Sequence, residues 1–288
     1  MTKYWLNNFA IDDFIISALK EDMYYGDITT DAICADLSQV DFQVALKTRA
    51  DGVLCGRNVF ERVFKLLCDD KVKIQFYFED GDIIKKGDKI ATISGDAHSI
   101  LTGERLALNF VQKMSGIATY TRKFQDLISK YGVKIVDTRK NTPNFRLFEK
   151  YSVKVGGNHL HRFNLSDCVM LKDNHIALYD GSITKAVKEI RKHLSHAHKI
   201  EIECDTLEQV KEALENNVDI IMLDNMTCEQ MSEACKVINK KAIVEASGCV
   251  TFDNVEKIAQ TGVDVISTSA IVMKAPTLDL AFDYNPQD

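Results

Sequence analysis

The sequence predicts an α/β protein in two parts, the second a parallel barrel of about six strands, and three observations predict it. From about residue 133 onward, apolar strand-like runs alternate with amphipathic helical segments, the rhythm of βα units around a parallel sheet. Before residue 95 the pattern is different, with short strands grouped around one helix. Finally, each apolar run of the second part ends in a polar or charged residue. In a parallel barrel the C-terminal strand ends ring one face where chemistry collects, whereas an open sheet gathers its ligand groups at one switch point.

In the first part, Ile11, Phe14, Ile15, Ala18 and Leu19 recur at helical spacing and predict a helix over 9–22, broken by Gly26-Asp-Ile-Thr-Thr. Strands follow at Phe42–Thr48, Val72–Phe78 and Ile90–Ile93, with a helix at Asn58–Leu67 between them. Two Gly-centred turns between Glu79 and Ile90 predict a tight β-hairpin. A long helical pattern over 98–130 carries Leu101, Leu106, Leu108, Phe110 and Val111, with an interruption near Gly116. The domain change is placed there, giving a first domain of 1–112 and a catalytic domain of 113–274.

The six runs of the second part are Val133–Val136, Cys168–Leu171, Ile200–Ile202, Asp219–Leu223, Ala242–Val244 and Val263–Ile266. Helical segments such as Leu207–Leu214 and Met231–Ile238 separate them. Their ends carry Asp137 with Arg139, then Lys172, Glu203, Asp224, Glu245 with Ser247, and Ser267 with Ser269.

Composition narrows the function. The 288 residues are 45% hydrophobic and 27% charged, an ordinary globular balance. No apolar run reaches the roughly 18 residues of a membrane span, and the N-terminal residues carry no apolar core of signal-peptide length. Eight scattered cysteines without a Cys-x-x-Cys pair predict free thiols in a reducing cytoplasm. His193, His196 and His198 have no carboxylate or cysteine spaced to complete a metal site, so a solvated turn is expected there. Against a net charge of −6, Arg139–Lys172 holds seven Lys/Arg and two acidic residues. Such a local excess points to an anionic small molecule. Few aromatics interleave the cations, which argues against nucleic acid.

In Lys199-Ile-Glu-Ile-Glu203 the two glutamates share one strand face. Asp224 closes the next strand in the position equivalent to Glu203. Two carboxylates there suit a divalent metal, sugar hydroxyls or developing positive charge. Glu245-Ala-Ser-Gly248 and Ser267-Thr-Ser-Ala270 leave backbone N–H groups free for a phosphate, although an ordinary helix cap accounts for them equally well. Nothing local to Arg105, among apolar helical neighbours, marks it as catalytic.

These residues occur as Asp137-Thr-Arg-Lys-Asn-Thr-Pro, Gly156-Gly-Asn-His-Leu-His-Arg162, Lys172-Asp-Asn-His, Ile200-Glu-Ile-Glu, Leu223-Asp-Asn-Met and Glu245-Ala-Ser-Gly, in that order. Gly26-Asp-Ile-Thr-Thr and Thr102-Gly-Glu-Arg-Leu-Ala-Leu-Asn precede them. From about residue 11 to 283 the chain closely resembles the quinolinate phosphoribosyltransferases. The resemblance implies an N-terminal open α/β sandwich plus an incomplete α/β barrel, with residues 275–288 packing back on the first domain. It implies transfer of the phosphoribosyl group of 5-phosphoribosyl-1-pyrophosphate to quinolinate, with Mg2+ and no organic cofactor. Nicotinate mononucleotide, pyrophosphate and carbon dioxide are the products, in de novo NAD synthesis. It also implies a homodimer in which Arg105 reaches the partner's site.

Carried over by resemblance, Thr138, Arg139, His161, Arg162 and Lys172 form the quinolinate side with the partner's Arg105. Lys140 sits by the phosphoribosyl donor. Glu203 and Asp224 serve the ribose and metal; Glu203 is preferred to Glu201 because its spacing to Asp224 matches the family. Ser247, Gly248, Ser267, Ser269 and Ala270 form the phosphate cradle.

The chain departs from the family pattern at Asn144, Asn158, Ser269 and Cys249, each where glycine is usual. Asparagine tolerates positive φ better than most residues. Two readings compete: a relative linked to molybdenum transport, which tends to lack the Lys-Asp-Asn-His segment, and a non-enzymatic metabolite-binding barrel, which predicts loss of the charged strand ends.

Overall fold

The computed structural model describes residues 6–35, 41–157 and 159–284. Asn158, one of the glycine replacements, lies outside them. The chain forms two compact units, residues 1–122 with 143–156 and 275–288, and residues 123–142 with 157–274.

The first unit opens with helices α1 (Asn8–Asp22) and α2 (Ile28–Cys34), capped by the Asn7 and Asp27 side chains. Strands β1 (Asp41–Thr48) and β2 (Gly52–Val53), helix α3 (Arg57–Cys68), strands β3 (Val72–Phe76), β4 (Ile83–Ile84) and β5 (Lys89–Asp96), and helix α4 (Ala97–Ile128) follow. The N-cap of α3 is Gly56, which has no side chain to offer. Asp80 Oδ1 substitutes, accepting from the N–H groups of Gly56 at 3.0 Å and Arg57 at 3.1 Å. The expected hairpin over 79–90 does not form. Gly81 and Gly87 do turn the chain at positive φ, but β4 pairs with β2, and β5 joins a different sheet.

Nor does α4 break at Gly116. A Cβ there would lie 2.0 Å from the Pro276 carbonyl oxygen, so this glycine admits close packing of a distant segment. Beyond Pro276, β12 (Leu280–Asp283) pairs antiparallel with β1, completing the sheet β12-β1-β5-β3.

The basic stretch contains a helix that its charge disguises, α5 (Arg146–Gly157). Phe148 and Tyr151 are buried in the first unit's core, and the rings of Phe14, Phe110, Phe145 and Phe148 cluster with centroids 4.8 to 6.1 Å apart, some stacked and some edge-on or tilted. Arg146, Lys150 and Lys154 therefore ride on a helix built into the first unit, and Lys150 is itself buried.

The second unit alternates β6 (Lys134–Val136), β7 (Val169–Leu171), α6 (Asp173–Ala177), α7 (Ile183–His193), β8 (Ile200–Cys204), α8 (Leu207–Glu215), β9 (Ile220–Asp224), α9 (Cys228–Ile238), β10 (Ile243–Ser247), α10 (Val255–Ala259), β11 (Val265–Ser267) and α11 (Ala270–Met273). Both α8 and α9 begin with capping boxes, Thr206 with Gln209 and Thr227 with Gln230. The strands form one parallel sheet ordered β6-β11-β10-β9-β8-β7. Successive strands β6 and β7 thus lie at opposite edges of a six-stranded sheet that does not close, which is the incomplete barrel expected. No helix among the described residues is long and apolar enough to cross a membrane.

Candidate functional site

The strand termini of the second unit carry almost every residue singled out above. Thr138, Arg139 and Lys140 follow β6, where Thr138 Oγ accepts the Lys140 N–H at 3.0 Å. Lys172 follows β7, Glu203 lies in β8, Asp224 ends β9, Ser247 ends β10 with Gly248 after it, and Ser267 ends β11 just before Ser269 and Ala270. Arg105 is exposed on α4 and belongs to the first unit.

Lys172 Nζ meets Glu203 Oε2 directly, joining the cationic and acidic groups at neighbouring strand ends. On the next strand, Asp224 Oδ2 accepts from the Asn225 side chain at 2.7 Å. Gly248 has φ +96°, and a Cβ on it would lie 2.1 Å from Asn225 Oδ1. Only glycine lets the β10 and β9 loops approach so closely. Ser267 is 1% exposed, and its Oγ is buried without a protein hydrogen bond. Asn144 sits at φ +62° and Cys249 at φ +50°, so both stand in the left-handed region that favours the usual glycine. Ser269, at φ −74°, needs no glycine.

Beneath these groups lies a buried polar cluster that sequence reasoning missed. His161 Nε2 is 3.2 Å from Glu245 Oε1 and 3.5 Å from Glu201 Oε1, with both carboxylates buried. The His161 N–H donates to Asp137 Oδ1 at 3.0 Å, and the Arg162 N–H donates to His161 Nδ1 at 2.7 Å. The Arg162 guanidinium is held in turn by the Cys168 carbonyl at 2.7 Å. The sequence placed His161 on the quinolinate side, Glu245 at a strand end and Glu201 on the same face as Glu203, but nothing in it joined the three.

Burial is the largest influence on His161 and opposes its charging, but the two carboxylates outweigh it and carry the imidazole up to about 10. Burial pushes the Glu201 carboxyl up as well, and the neighbouring Glu245 adds to the effect. Both directions mean that the cluster retains a proton that three separate groups would release. The two carboxylates on the Nε2 side are what hold it there, although Glu201 Oε1 and Glu245 Oε1 are buried without a hydrogen-bond partner. The three side chains have the spacing of a metal site, their ligand atoms all within 4.8 Å of one another.

His193, His196 and His198 are exposed; His193 ends α7, where its Nε2 lies 3.4 Å from Glu189 one turn earlier, and His196 and His198 follow in the solvated connection to β8. The eight cysteines are free thiols. A cleft of about 710 Å³ opens at the opposite, N-terminal strand ends beside Lys134, Lys199, Asp219, Lys240, Ile243 and Asp264, and no expected site residue lines it.

Two family models match this chain: the quinolinate phosphoribosyl transferase N-terminal domain over residues 27–115 and the C-terminal domain over 117–283. The chain belongs to the quinolinate phosphoribosyl transferase family. A probable nicotinate-nucleotide pyrophosphorylase (carboxylating) of Synechocystis sp. is 43% identical, over 94% of this chain and 91% of that protein. The crystal structure of NadC from Streptococcus pyogenes is 41% identical with a TM-score of 0.92, covering 97% of each chain. That of the nicotinate-nucleotide pyrophosphorylase of Ehrlichia chaffeensis is 43% identical with a TM-score of 0.89, covering 94% of this chain and 97% of that one.

Proposed function

We propose that the strand-end groups of the second unit divide between the two substrates of the family's reaction. As a member of the family, the protein is a quinolinate phosphoribosyltransferase, and its reaction joins the phosphoribosyl group of 5-phosphoribosyl-1-pyrophosphate to quinolinate, with decarboxylation to nicotinate mononucleotide. On our reading, Arg139, His161, Arg162 and Lys172 bind the two carboxylates of quinolinate, with Thr138 beside them. Guanidinium forks match carboxylates bidentately, and Lys172 adds a point charge. Lys140 meets the phosphoribosyl donor. Ser247, Gly248, Ser267, Ser269 and Ala270 receive its 5′-phosphate, a use that gives the buried Ser267 Oγ a partner.

The observation that carries this division is the Lys172–Glu203 pair, where the anion-binding side meets the acidic side. As pyrophosphate leaves, the ribose gains oxocarbenium character that Glu203 and Asp224 stabilise electrostatically. These two carboxylates, on adjacent strands β8 and β9, also suit Mg2+, which takes one or two protein carboxylates and completes its shell with water and phosphate oxygens. When bound there, the metal offsets charge on the departing pyrophosphate. Decarboxylation leaves negative charge on the ring carbon, which the quaternised ring nitrogen takes up while Lys172 and Arg139 hold the ring.

We assign a homodimer with Arg105 supplied across the interface. Tyr24, Tyr25, Ile28 and Ile33 are exposed at 63 to 90%. Thr102 Oγ lies 3.3 Å from Asp27, which ties this apolar patch to the turn of α4 that bears Arg105. Large exposed apolar patches mark association surfaces. The free thiols support a reducing cytoplasm.

The purified protein with quinolinate, the phosphoribosyl donor and Mg2+ is expected to release nicotinate mononucleotide. Arg139→Ala is expected to raise the quinolinate KM about 10- to 100-fold, the loss of one charge-assisted hydrogen-bonding group. A normal quinolinate KM in that variant would remove Arg139 from the pocket.

A further inference from the structure

We infer that the cleft at the N-terminal strand ends of the second unit binds a phosphorylated anion of nucleotide size, at the opposite end of the sheet from the catalytic groups. Its volume is about 710 Å³, within the range of small-molecule sites and far more than a single phosphate needs.

Four lysines and two aspartates line the cleft, a local net of +2 in a chain of −6. Both aspartates are already engaged by main chain. Asp219 Oδ2 accepts the Ile200 N–H at 2.9 Å, and Asp264 Oδ2 accepts the Val244 N–H at 2.9 Å. Asp264 Oδ1 also takes the Lys240 ammonium at 2.8 Å. Among the described residues, no carboxylate or carbonyl is bonded to the ammonium of Lys134, Lys199 or Lys241.

Register explains why these cations meet. Val265 pairs with both Lys134 and Glu245, and residues paired across parallel strands project to one face. Ile220 pairs with both Ile243 and Glu201, and Ile243 shares a face with Glu245 two residues on. Lys199 precedes Glu201 by two residues, so alternation sets it on that face as well. Lys134 on β6 and Lys199 at the entry to β8 therefore share one face of the sheet with Ile243 on β10. Lys241 joins them in the cleft, beside apolar Leu214 and Val265.

A cleft lined by one sign of charge focuses its field and gathers anions. Lysine supplies point charges that suit phosphate oxygens, and among the described residues no arginine lines the cleft to make the fork typical of a carboxylate site. Ile243, 38% exposed, offers an apolar wall for a base or another flat group beside the phosphates. A merely solvated face accounts for scattered lysines, but not for three uncompensated ones in one concavity whose own carboxylates are spent on main chain. The catalytic groups stand at the far ends of the same strands, about 15 Å away along β10.

The test follows the Ile243 methyl signal by NMR in the full-length protein with methyl-labelled isoleucine, the signal being assigned through Ile243→Val. Inorganic tripolyphosphate and adenosine triphosphate are titrated separately, with sodium sulfate at matched ionic strength as the control. The signal is expected to shift saturably with the phosphates and not with sulfate. Tripolyphosphate binding as tightly as adenosine triphosphate, or more tightly, assigns the site to the phosphate chain; tighter binding of adenosine triphosphate assigns it to a nucleotide. Lys134→Ala, Lys199→Ala and Lys241→Ala are each expected to weaken the binding about 3- to 10-fold while kcat and both KM values stay within about 2-fold. An Ile243 signal that does not move, or that moves equally in sulfate, overturns the inference. So does an affinity that is unchanged when all three lysines are replaced together.

Discussion

Gly248 shows how one residue ties the backbone to the site. Its φ of +96° belongs to glycine, and a Cβ there would collide with Asn225 Oδ1 at 2.1 Å. Gly248→Ala therefore imposes left-handed strain and also pushes away the Asn225 side chain that donates to Asp224. We expect a loss of about 2 kcal/mol in denaturant unfolding, from the strain together with the clash. The KM for the phosphoribosyl donor should rise with it, and a variant of unaltered stability would contradict the close approach. Asn144 and Cys249 adopt positive φ without being glycine, so the backbone requirement at these positions outlasts the change of side chain. The glycine pattern was legible in the sequence for that reason. Glu245 was not, because a strand-end glutamate looks the same whether it faces solvent or a buried histidine, and only the fold brings residues 161, 201 and 245 together.

Among the elements, those with regular patterns were readable. The amphipathic spacing of α1 and α3 and the apolar runs of β6 to β11 give their positions to within a few residues. The failures have a common physical cause, namely that a distant partner decided the local outcome. Gly116 stays helical because Pro276 packs against it, β4 pairs with β2 rather than folding back on β5, and α5 hides apolar residues among cations. A bidentate pair joins α1 to α3: Arg62 donates through two nitrogens to Asp12, at 2.7 and 2.6 Å. The hydrogen bond from Arg62 is the main cause that holds the Asp12 carboxyl below its ordinary value. A depressed carboxyl contributes stability above its unfolded pKa and loses it as pH falls through the lower, folded value. Asp12→Asn should therefore cost about 1 kcal/mol near neutral pH, the scale of a bidentate, mostly covered pair. The cost should shrink as pH falls below about 4. Thermal midpoints of both proteins across that range measure it, and a gap that persists in acid would assign the loss to packing instead.

The whole molecule raises a question that neither unit answers, since Arg105 belongs to the first unit and the strand-end groups to the second. Arg105 is exposed on α4, in the unit that also exposes the apolar side chains of Tyr24, Tyr25, Ile28 and Ile33, and the proposed dimer has it act on another subunit. Two-fold symmetry makes that testable, because in a C2 dimer each subunit gives and receives the same group. Arg105→Ala and Lys172→Ala should each be nearly inactive alone, as each removes a cation from every site. Mixed in equal amounts and allowed to exchange subunits, half the dimers carry one copy of each variant. In such a dimer the Arg105→Ala subunit keeps its own Lys172 and borrows its partner's Arg105, so one of the two sites is complete. The mixture should therefore recover about one quarter of wild-type activity. If Arg105 served its own subunit, no pairing would rebuild a site and the mixture would stay inactive. The recovered activity thus measures which chain supplies the arginine, and the association state checked by sedimentation shows whether exchange took place.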